Sequence, residues 1–278
     1  MKVQLGLFSK IFTGDSVDSI LENTQALGCN CLHINWKLLG MAAFPTELPP
    51  VEIKKLQQKL SHMRIQVASI SCTYNMIHPN EEIRIAGRKG VEAAAAISHL
   101  LGYPLLSLCT GTLHPQDKWA YHPNNKSQEA WDTLCRELDI LIDIAEAHKV
   151  KLGIEPEHSN VIYDAEAALS LLGAYEGAPL SIILDLANLV PSYPDQKAPY
   201  ILKTYLPSLL PLTEIIHLKE LTPSLTPTVP GKGILPLEEL IQDSQQLGFK
   251  GGYICHGFSR EELPFLKKWI SRHFSPKK

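Results

Sequence analysis

Runs of apolar residues alternate, along the whole chain, with segments whose apolar positions recur every three or four residues. The runs fall at residues 3–8, 30–35, 66–71, 105–109, 151–155, 181–185, 214–218 and 252–256. The last four are rich in β-branched or aromatic residues and lead into loop-like sequence, as strands of a buried parallel sheet do. The segments between runs are long enough for a right-handed helical crossover. This alternation predicts an α/β fold, a single (β/α)8 TIM barrel spanning residues 1–278 as one domain.

The intervening segments carry helix signals. Trp131, Leu134, Leu138, Leu141 and Ala145 mark one apolar helix face, with Ser127 as its N-cap. Asp164 caps a helix that runs through Leu172 and ends at Gly173. Pro236 suits the first turn of a helix reaching about Gln246, with Gly248 just beyond. Gly102 closes the helix that begins near Glu81, and Ser259 with Glu262 forms a capping box for the last one. The least regular stretches are 39–50, 110–126, 189–198 and 221–233. Three of them follow a predicted strand closely, where barrel enzymes build pockets and lids.

Composition narrows the class. At 278 residues the chain suits one α/β barrel of roughly 250 residues. Charged residues are 20%, the net charge is −3, and no basic block stands out, so neither nucleic acid nor a membrane surface is an expected partner. The N-terminal apolar stretch is too short for a signal peptide, and no run approaches the ~18 apolar residues of a membrane span. The six cysteines are scattered, with no Cys-x-x-Cys pair, and read as reduced core residues of a cytoplasmic protein.

Four successive runs end in metal-capable side chains: Glu155, Asp185, His217 and His256. Two carboxylates and two imidazoles at the C-terminal mouth of a barrel would suit a divalent metal (Mn, Zn, Co, Fe or Mg). Each residue also has a plainer reading. Glu155 can be neutralised by a lysine inside the barrel, and Asp185 can cap the next helix, with or without binding metal. A lone histidine in an apolar run such as His217 is ordinarily a hydrogen-bonded core residue, and its place in the series favours a ligand. His256 either binds metal or only hydrogen-bonds or stacks in the pocket. Glu157 and His158 either support the metal site and touch substrate or are ordinary loop polarity. Asn188 either projects into the mouth or serves a turn. Lys219 shares the strand parity of His217 and can neutralise Glu155 or hold a substrate oxygen. His33 and Trp36 after the second strand, and Tyr74, Asn75 and His78 after the third, are candidates for a polar substrate pocket, with Thr110-Gly-Thr112 after the fourth. Gly231-Lys-Gly233 reads as a turn placing Lys232 near the mouth. Gly-x-Ser-x-Gly, Walker, Gly-x-Gly-x-x-Gly and His-Glu-x-x-His motifs are absent, which argues against a serine hydrolase, nucleotide enzyme, Rossmann dehydrogenase or zincin.

The ordered set of segments resembles the xylose isomerase-like TIM-barrel superfamily, in particular its sugar phosphate isomerase/epimerase branch. The resemblance rests on Met76-Ile-His-Pro-Asn-Glu-Glu-Ile-Arg84, Leu101-Gly-Tyr-Pro104, Leu152-Gly-Ile-Glu155, Leu184-Asp185, His217-Leu-Lys-Glu220, Gly231-Lys-Gly233 and Gly248-Phe-Lys-Gly251, and covers nearly the whole chain. It implies one divalent metal held by Glu, Asp, His and Glu, with the two glutamates moving a proton on opposite faces of a ketose carbon. Glu155, Asp185 and His217 match that pattern. His256 stands where the last glutamate is expected, Asn188 where a histidine is common, and Glu220 where an aspartate is usual. The resemblance therefore implies a divalent-metal-dependent isomerase or epimerase of a small sugar or polyol-like substrate. An enediolate would form, with Glu155 as ligand and base and His256 as ligand or opposing acid/base. A metal-dependent lyase (dehydratase) or hydrolase on the same barrel is the alternative, and a non-catalytic sugar-binding protein with a degenerate metal site is a third reading. Homo-oligomers are common in such a family.

Overall fold

The computed structural model describes residues 4–274. Eight strands close a parallel barrel in the order β1-β10-β7-β6-β5-β4-β3-β2. They are β1 (Gln4–Phe8), β2 (Cys31–Ile34), β3 (Gln66–Ser71), β4 (Leu105–Cys109), β5 (Leu152–Glu155), β6 (Leu180–Asp185), β7 (Thr213–Leu218) and β10 (Gly252–Cys255). All eight predicted strands are present, with ends displaced by a residue at most, and Val3 lies outside the described residues. Two-residue strands β8 (Glu220–Leu221) and β9 (Pro227–Thr228) form a small antiparallel hairpin within a stretch expected to be irregular. The helices are α1 (Val17–Ala26), α2 (Pro50–His62), α3 (Glu81–Ile97), α4 (Gln128–His148), α5 (Ala165–Ala174), α6 (Leu186–Leu189), α7 (Ala198–Leu209), α8 (Leu237–Gln246) and α9 (Leu263–His273).

Local chemistry explains most helix ends. Ser127 caps α4 through the Ala130 N–H, and Asp164 caps α5 through the Ala167 N–H. On α4, Leu134, Leu138, Leu141 and Ala145 are fully buried. Each such leucine contributes about 1.5–3 kcal/mol to the outer core. Three expectations need correction. Gly173 lies inside α5, which runs on to Ala174, so it does not end the helix. The Ser259–Glu262 capping box is present but opens a 3-10 turn, and α9 starts after it with Pro264 in its first turn. Pro236 precedes α8 as its N-cap rather than lying inside it.

Strand alternation builds the barrel interior. Cys31, Leu105, Ile183, Ile215 and Ile254 form a buried cluster inside the barrel, with Phe8 and Ala68 packed on it. Gly153 belongs to this layer: a Cβ there would come within 2.6 Å of the Leu105 side chain and 3.0 Å of Ile183, so any larger residue would have to displace Leu105. Two residues further along five of these strands come His33, Ser107, Asp185, His217 and His256. An apolar plug thus floors a polar layer, and Glu155 stands two residues above Gly153 in that layer.

Candidate metal centre and cavity

The ligand-capable atoms of Glu155, Asp185, His217 and His256 all lie within 4.8 Å of one another. They come from the adjacent strands β5, β6, β7 and β10. His217 Nδ1 is 3.1 Å from Glu155 Oε1 and 3.9 Å from Asp185 Oδ2. His256 Nε2 is 3.3 Å from Asp185 Oδ2. Asp185 also accepts the Ala187 N–H, so it caps α6 while keeping Oδ2 in the cluster. Both of its anticipated roles are therefore open to it at once. The mixed oxygen and nitrogen donor set fits a divalent cation of the Mn, Fe, Co or Zn type. Among the described residues His217 Nε2 is buried without a hydrogen-bond partner, an orphaned nitrogen beside the cluster.

Electrostatics agree with a site for a cation. Burial alone would raise the Asp185 carboxyl, but Lys219, His256 and His217 outweigh it and hold its pKa at about 2. Burial opposes charge on His217, yet Glu155 and Asp185 prevail and raise its pKa. Burial and the neighbouring His217 lower His256 to about 4. Burial, His217 and His256 push His33 well down, so it is a neutral ring near neutral pH. Burial and the Glu155 carboxylate push Glu157 well up.

A cavity of about 580 Å³ opens above the cluster and is lined by Glu155, His217 and His256. Of the other anticipated contacts, His33, Glu157, Asn188 and Lys219 reach it. His33 stacks on Phe8 with ring centroids 4.2 Å apart and shares a hydrogen bond of 3.2 Å with Ser107 Oγ. Lys219 does not touch Glu155 directly. It donates to Asn188 Oδ1 at 2.7 Å, and Asn188 donates to Glu155 Oε1 at 2.8 Å.

Other expected contacts are corrected. Trp36 is 0% exposed and packs in the outer core, because the 3-10 turn after β2 carries it away from the mouth. His78 shares a hydrogen bond of 3.0 Å with the Pro115 carbonyl and accepts the Asn80 N–H, which keeps it outside the cavity. His158 is exposed and does not line the cavity. Tyr74 is buried and stacks on Phe44. Asn75 accepts the Thr112 N–H and donates to the Thr112 carbonyl, and Thr110 accepts the Ile162 N–H, so these residues tie the loops after β3, β4 and β5 together. Lys232 pairs with Glu262 at 3.7 Å and lies over Phe265, away from the cavity. Glu220 accepts the N–H groups of Leu221 and Leu235 and so pins the hairpin loop. Sequence reading missed Lys10, Lys37, Phe44, Lys118, Trp119 and Phe258 as lining residues. All sit in loops or 3-10 turns, where no periodicity signals direction.

A family model described as xylose isomerase-like TIM barrel matches residues 18–272. Among proteins of curated function, none matches the sequence. Solved structures share the fold at low identity. The apo 3-keto-D-glucoside 4-epimerase from E. coli superposes with a TM-score of 0.76 at 15% identity, covering 98% of this chain and 100% of that one. D-psicose 3-epimerase from Clostridium cellulolyticum H10, with D-tagatose, gives 0.74 at 14%, covering 98% and 99%. The probable 3-DHS dehydratase of petrobactin synthesis from Bacillus anthracis gives 0.77 at 14%, covering 100% of both chains. No helix among the described residues is long and apolar enough to cross a membrane.

Proposed function

The chain belongs to the xylose isomerase-like TIM-barrel family, and from that premise we propose that it is a divalent-metal-dependent isomerase or epimerase of a small sugar or polyol-like substrate. The convergence of four ligand atoms within 4.8 Å, at the base of a cavity of small-molecule size, carries this reading. Glu155, Asp185, His217 and His256 would hold the metal. When bound, the ion supplies Lewis-acid polarisation of the substrate oxygens. Glu155 removes a proton from the carbon beside the substrate carbonyl, which leaves an enediolate. Asn188 and Lys219 fix Glu155 for that transfer. His33, neutral and buried beside His217, offers a hydrogen bond to a substrate hydroxyl.

A dehydratase is the second reading, favoured by one observation. His256 stands where a second glutamate would complete a two-carboxylate epimerase, whereas loss of a β-hydroxyl after proton removal needs only one carboxylate base. Incubation of the metal-loaded protein with ketoses and keto acids in D₂O separates the two. Reversible deuterium incorporation beside the carbonyl, abolished by chelator, marks an isomerase or epimerase, and a stable dehydrated product marks a lyase. No metal-dependent exchange or turnover across the panel would remove both.

A further inference from the structure

The donor-bearing strands β5, β6, β7 and β10 form one continuous arc of the barrel, and β4, β3, β2 and β1 form the other. The second arc carries lysines. Lys10 follows β1, Lys37 follows β2, and Lys118 lies in the loop after β4, and all three line the cavity. Elsewhere Lys55 pairs with Glu52, Lys59 with Asp18 and Lys151 with Glu214, while among the described residues Lys89, Lys126 and Lys203, like several others, have no carboxylate within 4.0 Å. Among the described residues, Lys10, Lys37 and Lys118 have none within 4.0 Å. Lys118 Nζ donates instead to the Thr73 carbonyl at 2.9 Å, which fixes the half-buried ammonium at the rim and leaves N–H bonds free for a ligand.

The charge balance of the cavity follows. With Lys219 there are four lysines, and with a divalent ion they would face at most three ionised carboxylates, Glu155, Glu157 and Asp185, an excess of at least three positive charges. Phe8, Phe44 and Phe258 give the same cavity low-dielectric walls. A concave, partly apolar cleft with one sign of charge focuses the field and concentrates ligands of the opposite sign. A neutral sugar offers no charge to these three lysines, which come from three separate loops and have no carboxylate within 4.0 Å.

We propose that the natural substrate is an anion: a short polyhydroxylated chain whose carbonyl end meets the donor cluster and whose far end carries a carboxylate or phosphate held by Lys118, Lys10 and Lys37. This rests on the metal-dependent reading of the same site. Calorimetric titration of the Mn²⁺-loaded protein with D-ribulose, D-ribulose 5-phosphate and D-gluconate tests it, alongside the triple variant Lys10→Met/Lys37→Met/Lys118→Met and a Lys203→Met control outside the cavity. We expect at least one anion to bind about tenfold or more tightly than D-ribulose, with the advantage shrinking as salt rises. That advantage should vanish in the triple variant and persist in the control. Which anion is preferred distinguishes phosphate from carboxylate. Equal binding of the neutral ketose, or an anion preference that survives the triple change, would overturn the inference. Metal content is measured on the same samples. A metal-loaded protein without anion preference defeats only this proposal, whereas a protein that takes up no metal removes the reading beneath it.

Discussion

Asn188 joins Lys219 to Glu155: it accepts from the lysine ammonium at 2.7 Å and donates to Glu155 Oε1 at 2.8 Å. The amide thus orients the carboxylate and keeps the ammonium 3.8 Å from Asp185 Oδ2 instead of in direct contact with Glu155. Groups that orient metal ligands in this way are typically worth ~10–100-fold in affinity or activity. Asn188→Leu is therefore expected to weaken metal binding or turnover by about that factor, measured by metal titration and steady-state kinetics. Unchanged values would show that Glu155 needs no such support.

Glu155 is the proposed base, and Glu155→Gln keeps its shape while removing charge and basicity. Loss of general-base catalysis lowers turnover by about 10²–10⁴-fold. The expected result is loss of solvent deuterium exchange with the fold intact by circular dichroism. Exchange within a few fold of the parent protein would take the base role away from Glu155.

His256 Nε2 lies 3.3 Å from Asp185 Oδ2. His256→Glu would place a second carboxylate against Asp185, and the repulsion has no compensation until a cation arrives. The metal-free variant is expected to lose about 1–3 kcal/mol of stability by denaturant titration, and Mn²⁺ should restore it. A variant as stable without metal as the parent protein would mean that the two side chains do not share a site.

Away from the cavity, Glu137 on α4 is 2% exposed and accepts from both Arg84 and Arg88 on α3. Removing one partner of a buried ion pair leaves its charge uncompensated. Glu137→Ala should cost about 3–5 kcal/mol of unfolding free energy and leave metal affinity unchanged. A loss below about 1 kcal/mol would place these arginines in solvent, as exposed pairs are.

Much of this architecture is readable in the chain because parallel strands buried on both faces must be continuously apolar. A lone Glu, Asp or His ending such a run is therefore conspicuous, which is why Glu155, Asp185, His217 and His256 stand out in the sequence itself. The two-residue period then dictates that His217 sits above Ile215, and His256 above Ile254, at the top of the plug. Loops carry no such period. Trp36 and Lys37 are neighbours in one 3-10 turn, yet the lysine lines the cavity and the tryptophan is buried in the outer core. His78 and His158 follow strands as His256 does, but local carbonyl contacts or exposure take them away from the cavity. The β8–β9 hairpin is set by Glu220 accepting the Leu235 N–H fifteen residues away, a pairing that no local pattern announces.

Four side chains from four adjacent strands, Glu155, Asp185, His217 and His256, are proposed to hold one divalent ion. Elemental mass spectrometry of the purified, untagged protein, before and after chelation and reloading, tests it most directly. The expected result is close to one Mn, Fe, Co, Zn or Mg per chain, lost on chelation, regained on reloading, and absent from a variant lacking both His217 and Asp185. A protein that carries no metal and takes up none would contradict it, and would leave the cluster as a buried network of hydrogen bonds and charges.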